Sequence, residues 1–217
     1  MVYSMRIGVF DSGIGGEAVA VKVRALIPNT EVISINDHKN MPYGTKPPSE
    51  VIELTKSAIK PLIDSNCDVI VLACNTATAV AIDELRKIHP DTPFIGIEPM
   101  VKPASNLTKT GNIAVLATPA TLKSKRYLEL KTNWAADLNV IEPDCSNWAE
   151  LIETQRSEEI DVDSVVRSLK KSNVDVIVLG CTHYHWLKDR VINIAGSDVR
   201  VLEPSDSIAE RIKSLLP

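Results

Sequence analysis

Short runs of β-branched residues alternate with longer amphipathic stretches along nearly the whole chain. The runs predict strands at residues 6–10, 31–35, 68–73, 94–97, 112–117, 139–142, 175–180 and 199–202. Between them, stretches such as residues 51–63 and Asn75–Ile88 carry apolar residues at helical spacing. This alternation is typical of an α/β fold with a mainly parallel sheet covered by helices. Functional sites in such folds gather beyond the carboxyl ends of the strands.

The chain also contains an internal repeat. Residues 65–76 read SNCDVIVLACNT and residues 172–183 read SNVDVIVLGCTH, with eight of the twelve aligned positions identical. RIGVFDS at residues 6–12 aligns in the same way with NIAVLAT at residues 112–118. We therefore predict two similar doubly wound α/β domains related by pseudo-twofold symmetry, with an active site between them. The predicted first domain comprises residues 1–97 and 204–217, and the second comprises residues 98–203.

Composition and charge narrow the classes of function. The net charge of -4 over 217 residues disfavours a nucleic-acid partner, which would select a basic surface. No apolar segment approaches the roughly 20 residues that span a bilayer, so no membrane association is expected. The first six residues lack the pattern of a signal peptide. The four cysteines (Cys67, Cys74, Cys145 and Cys181) form no CxxC pair, which predicts reduced thiols in a cytoplasmic protein.

Two of these cysteines occupy equivalent places in the repeat, each directly after a predicted strand. At Cys74, a following helix would offer backbone N–H groups to a thiolate or a substrate carboxylate. Cys181 repeats the arrangement and has His183 two residues further on. Inversion of a carbon centre needs one base on each face, and a thiol with a pKa of about 8.5 can serve as acid or base. The alternatives are a buried core cysteine and a zinc site at Cys181 and His183, whose spacing fits no common zinc pattern.

The loop after the first strand supports a second hypothesis. Residues 13–18 match G-x-G-x-x-A, and Asp37 follows the next strand, where an NAD-dependent dehydrogenase would bind ribose. Against this, the carboxylate of Asp11 would lie close to a bound pyrophosphate. Asp11 or Ser12 as an ordinary helix N-cap is a further alternative. A third class is a binding or regulatory protein that kept the fold and lost the activity. The retention of both cysteines, Asp11 and His183 argues against this class.

Four motifs together resemble the glutamate racemases of the aspartate/glutamate racemase superfamily: DSGIGG at residues 11–16, PYGTK at 42–46, ACNTAT at 73–78 and GCTHYHWLK at 180–188. IEP at residues 97–99 and ATPAT at residues 117–121 resemble the family's crossing into the second domain and its next strand-end loop. The resemblance implies racemisation of glutamate without cofactor or metal, supply of D-glutamate for peptidoglycan, and a homodimer. Aspartate racemases share the two-cysteine scheme and remain an alternative.

The resemblance also implies the site residues. Cys74 and Cys181 become the two catalytic acid/bases, supported by Asp11 and His183, and Glu153 becomes a further catalytic residue. The implied substrate-binding residues are Asp11, Ser12, Tyr43, Gly44, Asn75, Thr76, Thr118, Thr121, Thr182 and His183. The chain departs from the family pattern in having Ser146 after Cys145, where the family has proline, and residues 39–41 before the PYGTK motif, where the family has Ala-Arg.

Overall fold

The structure is a computed structural model that describes residues 5–215. Residues 1–4, on which most of the signal-peptide prediction rests, lie outside the described residues, as do residues 216 and 217 of the predicted first domain. Within the described part, no helix is long and apolar enough to cross a membrane.

The described chain contains the alternation of strands and helices that the sequence predicts. The strands are β1 Arg6–Asp11, β2 Glu31–Asn36, β3 Val69–Leu72, β4 Phe94–Gly96, β5 Asn112–Leu116, β6 Asn139–Ile141, β7 Val176–Leu179 and β8 Arg200–Leu202. The α-helices are α1 Gly15–Leu26, α2 Pro48–Asp64, α3 Asn75–Ile88, α4 Val101–Leu107, α5 Pro119–Leu122, α6 Lys125–Trp134, α7 Trp148–Glu153, α8 Val162–Lys171, α9 Lys188–Ala195 and α10 Ser205–Ser214. Short 3-10 turns occupy His38–Asn40, Tyr43–Thr45, Ser157–Glu159 and Thr182–Leu187. Each predicted strand is present, with ends that differ from the prediction by at most one residue.

The strands form two four-stranded parallel sheets with the same topology. One sheet has the order β2-β1-β3-β4 and the other the order β6-β5-β7-β8. The internal repeat therefore corresponds to a repeated strand order, and the predicted pair of α/β domains is confirmed. The described chain divides into two compact units: the first runs up to Glu98 and resumes at Pro204, and the second is Pro99–Glu203.

Both faces of the first sheet are buried, as a doubly wound sheet requires. On β3, Val69 and Val71 pack with α1 and α10, whereas Ile70 and Leu72 pack with α2 and α3. Successive side chains of a strand point to opposite faces, so a strand buried on both sides reads as the continuous apolar run VIVL. The last helix, α10, contributes Ile208, Ala209 and Ile212 to the same cluster as α1.

The second unit repeats this plan. Val176 and Val178 of β7 pack on one face with residues of α4 and α6, including Val101 and Tyr127. Its central strand β7 has the same sequence, VIVL, as β3 and is equally buried. Two equivalent strand ends, after β3 and after β7, are thereby held rigidly by packed cores.

Candidate active site

In the first unit, the carboxyl ends of β1 and β3 bring two predicted site segments together. Phe10 lies opposite Leu72 in the parallel register, so Asp11 and Ser12 emerge next to Cys74. The Ser12 Oγ lies 3.2 Å from the Cys74 Sγ, within hydrogen-bonding distance. Asp11, Ser12 and Cys74 are all buried. Parallel strand pairing thus turns a separation of 62 residues in sequence into a direct contact.

Cys74 is the N-cap residue of α3, which begins at Asn75 as predicted. Its Sγ accepts a hydrogen bond from the backbone N–H of Ala77 at 3.4 Å. The unpaired N–H groups and the dipole at a helix N-terminus stabilise an anion, and a thiolate here gains from both. The neighbouring Asn75 is also buried, and within residues 5–215 its Oδ1 has no hydrogen-bond partner.

The glycine-rich loop after β1 contacts the side chain of Asp11. The backbone N–H of Gly13 donates to the Asp11 Oδ1 at 2.8 Å, and α1 begins at Gly15 with Ile14 as its N-cap residue. The alternative in which Asp11 or Ser12 caps that helix is therefore wrong, because the chain makes a local turn before the helix starts. A Cβ added at Gly16 would lie 2.5 Å from the Asp11 Cβ. The absence of a side chain at Gly16 is what lets the first turn of α1 approach Asp11.

Tyr43 is buried in the same cluster as Cys74. Its hydroxyl donates to the Asp37 Oδ2 at 2.7 Å, and the Asn40 side-chain amide donates to both oxygens of the same carboxylate at 3.0 Å. Burial first, and then the hydrogen bond to Asp37, hold the pKa of Tyr43 well above its usual range. The hydroxyl therefore remains a hydrogen-bond donor at any physiological pH, and Gly44 follows it in the Tyr43–Thr45 turn.

In the second unit, three predicted catalytic residues form one chain of contacts. The Cys181 Sγ lies 3.7 Å from the His183 Nδ1, and the His183 Nε2 lies 2.5 Å from the Glu153 Oε1. The side chains of His183 and Glu153 are 8% and 5% exposed. A carboxylate on one ring nitrogen fixes the orientation and protonation of an imidazole, which leaves the other nitrogen for the thiol.

The segment after Cys181 differs from its counterpart in the first unit. Thr182–Leu187 is a 3-10 turn, and α9 begins only at Lys188. The prediction that Cys181 repeats the surroundings of Cys74 is thus wrong in this respect. Tyr184 is held in the turn by tertiary contacts: its hydroxyl donates to the Cys145 carbonyl at 2.9 Å, and its ring packs edge-on against Trp148 at 5.3 Å.

Thr118 and Thr121 follow β5 and make contact with each other. Thr118 is the N-cap residue of α5, and its Oγ1 accepts from the Thr121 N–H at 3.4 Å. The two hydroxyl oxygens lie 3.1 Å apart. By the internal repeat, Thr118 occupies the place that Ser12 has in the first unit. Within residues 5–215, no group of three or more His, Cys, Asp and Glu side chains could hold a metal ion.

Comparison with known proteins then decides the family. The family model described as Asp/Glu/Hydantoin racemase matches residues 17–212. This chain belongs to that racemase family. A glutamate racemase of Clostridium novyi is 37% identical over an alignment of 219 residues that covers 99% of this chain and 85% of that protein.

Solved structures of racemases agree with this membership. The glutamate racemase of Escherichia coli, in complex with L-glutamate and the activator UDP-MurNAc-ala, matches with a TM-score of 0.87 and 30% identity over 98% of this chain and 82% of that one. The glutamate racemase of Francisella tularensis in complex with D-glutamate matches with a TM-score of 0.80 and 30% identity over 98% of this chain and 81% of that one. The predicted resemblance and the predicted enzyme class, a racemase and therefore an isomerase, are confirmed. Membership of this racemase family rejects the dehydrogenase alternative.

The predicted site residues of this racemase fall into two sets, one in each unit. The first unit holds Asp11, Ser12, Tyr43, Gly44, Cys74, Asn75 and Thr76, and the second holds Thr118, Thr121, Glu153, Cys181, Thr182 and His183. Sequence reasoning considered Asp37 only as a ribose-binding acid and missed its contact with Tyr43. Its position directly after β2, the neighbour of β1, was the available signal.

Proposed function

We propose that this racemase interconverts L- and D-glutamate without a cofactor, using Cys74 and Cys181 as two opposed acid/bases. The observation that carries the proposal is a thiol at the same place in each of two sheets of identical strand order, each beside a polar side chain. Glutamate as substrate is supported by the relatives from Clostridium novyi, Escherichia coli and Francisella tularensis, which are glutamate racemases similar over nearly the whole chain.

The proposed reaction moves one proton in each of two steps. One cysteine, as thiolate, removes the α-proton and becomes a thiol, which leaves a carbanion at the α-carbon. The other cysteine, as thiol, delivers its proton to the opposite face and becomes a thiolate. The reverse reaction exchanges the two roles, so the mechanism requires both thiols to reach one α-carbon from opposite sides.

The two thiols are prepared for this chemistry by different means. Cys74 accepts a backbone N–H at the N-terminus of α3 and contacts Ser12, so its thiolate is stabilised by hydrogen bonds and the helix dipole. Cys181 instead faces an imidazole that is itself bound to Glu153, so His183 can exchange a proton with the thiol. In this proposal Asp11 supports the Cys74 side, and His183 with Glu153 supports the Cys181 side.

Substrate recognition in this proposal uses the remaining predicted residues. The buried Asn75 Oδ1 lacks a partner within the described chain, and an α-ammonium group that donates to it would satisfy this acceptor. The N–H groups at the start of α3 suit an α-carboxylate. We assign the binding of these two groups to Ser12, Tyr43, Gly44, Asn75, Thr76 and Thr182, with Thr118 and Thr121 at the equivalent strand end of the second unit. Asp11 and His183 contact the substrate as well.

Circular dichroism of L-glutamate and L-aspartate, each incubated with the enzyme, separates the two substrate hypotheses. We expect a higher kcat/KM for glutamate, and a clear preference for aspartate would reject the proposed substrate while leaving the two-base mechanism standing. Activity is expected to survive dialysis against a chelator. The supply of D-glutamate for peptidoglycan, the homodimer and the cytoplasmic location remain predictions.

Racemisation in deuterated water tests the mechanism itself. The thiol that delivers the proton has exchanged with solvent before the substrate binds, so the first D-glutamate formed from L-glutamate should carry deuterium at the α-carbon. The remaining L-glutamate should at first keep its protium, because the thiol that removed its proton returns the same one. Mass spectrometry of the earliest product measures this ratio, and substantial α-protium in that product would reject two opposed bases.

Cysteine variants complete the test. Cys74→Ala and Cys181→Ala should each abolish racemisation, while either variant retains the base needed to exchange the α-hydrogen of one enantiomer. Cys67→Ala is a matched control, because Cys67 is a buried thiol of the first unit that lies among α2 residues. It should retain racemisation, and full activity in Cys74→Ala or Cys181→Ala would contradict the proposal.

A further inference from the structure

A buried carboxylate outside the predicted site lies at the same sheet edge as Cys181. Leu202 of β8 is paired with Val178 of β7 in the parallel register, so Glu203 emerges beside the segment that leads to Cys181. The Glu203 side chain is only 7% exposed. A buried carboxylate loses its hydration, and it is retained in a fold when a cation or hydrogen-bond donors compensate for that loss.

Lys188 provides the cation. Its Nζ lies 3.3 Å from the Glu203 Oε1, and its own side chain is 28% exposed. Lys188 is the first residue of α9 and directly follows the Thr182–Leu187 turn, which carries His183. The ion pair therefore ties the end of that turn to the end of β8. The beginning of the turn is held separately, because the Tyr184 N–H donates to the Cys181 carbonyl at 3.0 Å.

The first unit has no lysine at the corresponding place. At its shift of 107 residues, the internal repeat aligns Lys188 with Ala81, in the middle of α3, and Glu203 with Gly96, which has no side chain. The difference has a physical reason. Cys74 is the N-cap residue of a 14-residue α-helix, whose backbone hydrogen bonds hold its first turn. A six-residue 3-10 turn has poorer hydrogen-bond geometry, so its position depends more on side-chain anchors.

We propose that Lys188 and Glu203 are positioning residues for the acid/base pair Cys181 and His183. The ion pair keeps the 3-10 turn in the place where the thiol reaches the α-carbon, and neither residue takes part in proton transfer. This inference rests on the proposed two-base racemase function. Displacement of a reacting group by about 1 Å can lower a rate by up to about 100-fold, so loss of this anchor should slow the chemical step.

The test compares Lys188→Met, Glu203→Gln, their double variant and Lys188→Arg. We expect each single variant to lower kcat by roughly tenfold with little change in KM, and the double variant to be no slower than the singles, because both act through one pair. Lys188→Arg keeps the charge and should restore most of the activity. Lys131→Met is the matched control, because Lys131 also forms a partly buried ion pair in the same unit, with Glu142. The side chains of Lys131 and Glu142 are 31% and 28% exposed.

Isotope effects distinguish positioning from a general loss of structure. With substrate deuterated at the α-carbon, slowing the Cys181 step alone should increase the isotope effect on kcat/KM in the direction in which Cys181 removes the proton. In the other direction, Cys74 removes the α-hydrogen and Cys181 acts only afterwards. The isotope effect on kcat/KM should then fall toward the equilibrium isotope effect, because the slower second step makes the first step reversible. A variant that is only partly folded has fewer active molecules, whose isotope effects equal those of the wild type.

The outcomes separate this inference from the function on which it rests. A wild-type enzyme that fails to racemise glutamate would overturn both. If the wild type racemises glutamate but the variants, with native circular dichroism, keep the wild-type kcat, only the positioning role is overturned. Reduced kcat with unchanged isotope effects in both directions, or additive losses in the double variant, would overturn it as well.

Discussion

Glu153 and His183 are 30 residues apart in the chain, yet the Glu153 Oε1 lies 2.5 Å from the His183 Nε2. Both side chains are almost fully buried. The contact decides which ring nitrogen faces the thiol, because a carboxylate at Nε2 leaves Nδ1 directed to the Cys181 Sγ. Glu153 thus acts on the second thiol through the imidazole.

Removal of the negative charge at Glu153 should slow the enzyme. Glu153→Gln keeps the shape of the side chain but no longer stabilises a protonated His183. Because Glu153 acts through His183, we expect kcat to fall by about 10- to 100-fold, at or below the lower end of the roughly 100- to 10,000-fold that direct general acid–base catalysis contributes. Steady-state kinetics from both enantiomers measure the loss. Glu150→Gln, an exposed position on the same helix, should behave like the wild type. Equal losses in the two variants would contradict the assigned role of Glu153.

A methyl group at Gly16 should displace Asp11. Because a Cβ there would lie 2.5 Å from the Asp11 Cβ, either α1 or the end of β1 must move in Gly16→Ala. We expect kcat to fall by about tenfold or more even for the folded fraction of the enzyme. Gly111→Ala is the control. The φ of 76° at Gly111 strains the backbone of an alanine, but the added Cβ would meet no atom within 4 Å. That variant should lose stability, by roughly 1–2 kcal/mol, and keep its kcat.

The role of the Tyr43 hydroxyl in substrate binding can be tested by comparison with a similar hydrogen bond of Tyr127 in the second unit. Tyr43 donates to Asp37 and Tyr127 donates to Glu142, each at 2.7 Å, and both tyrosines are buried. Removing a hydrogen bond to a carboxylate costs about 1.5–3 kcal/mol, so Tyr43→Phe and Tyr127→Phe should lose similar stability in urea unfolding. Only Tyr43→Phe should also raise KM. An unchanged KM in that variant would remove Tyr43 from the substrate-binding residues.

The stability of the protein should fall on the alkaline side because of Cys145. Burial, followed by the nearby charges of Asp144 and Cys181, raises the pKa of this thiol to about 12. In the unfolded chain a cysteine has a pKa of about 8.5, so above that pH the unfolded state releases a proton that the folded state keeps. The free energy of unfolding therefore decreases between about pH 8.5 and the folded pKa, with a limiting slope of about 1.4 kcal/mol per pH unit from this group.

Urea unfolding from pH 7 to pH 10, with a reductant present, measures that slope. Cys145→Ala should flatten the decrease above pH 8.5, whatever its stability at pH 7. Ser146→Ala, at the exposed neighbouring position, should keep the wild-type slope. A slope that does not change in Cys145→Ala would mean that other groups cause the alkaline loss. The buried Cys67, whose pKa burial also raises, is the next candidate.

Local sequence patterns alone determined the elements and the repeat. The run VIVL is continuous because β3 and β7 are each buried on both faces, and the start of α3 at Asn75 follows from helical spacing directly after a strand. These signals depend on residues within a few positions of each other. They were sufficient to predict each strand, the two α/β units and the place of Cys74 and Cys181 at strand ends.

Contacts between distant segments were decided only by the tertiary structure. The 3-10 turn after Cys181 occurs where the sequence repeat predicts a second helix start, because Tyr184 is held by Cys145 and Trp148 from another part of the unit. The Asp37–Tyr43 and Lys188–Glu203 contacts likewise join side chains whose spacing carries no periodic signal. Parallel strands need long crossovers, so the order of strands in each sheet, rather than any local pattern, determines which polar side chains meet at its carboxyl edge.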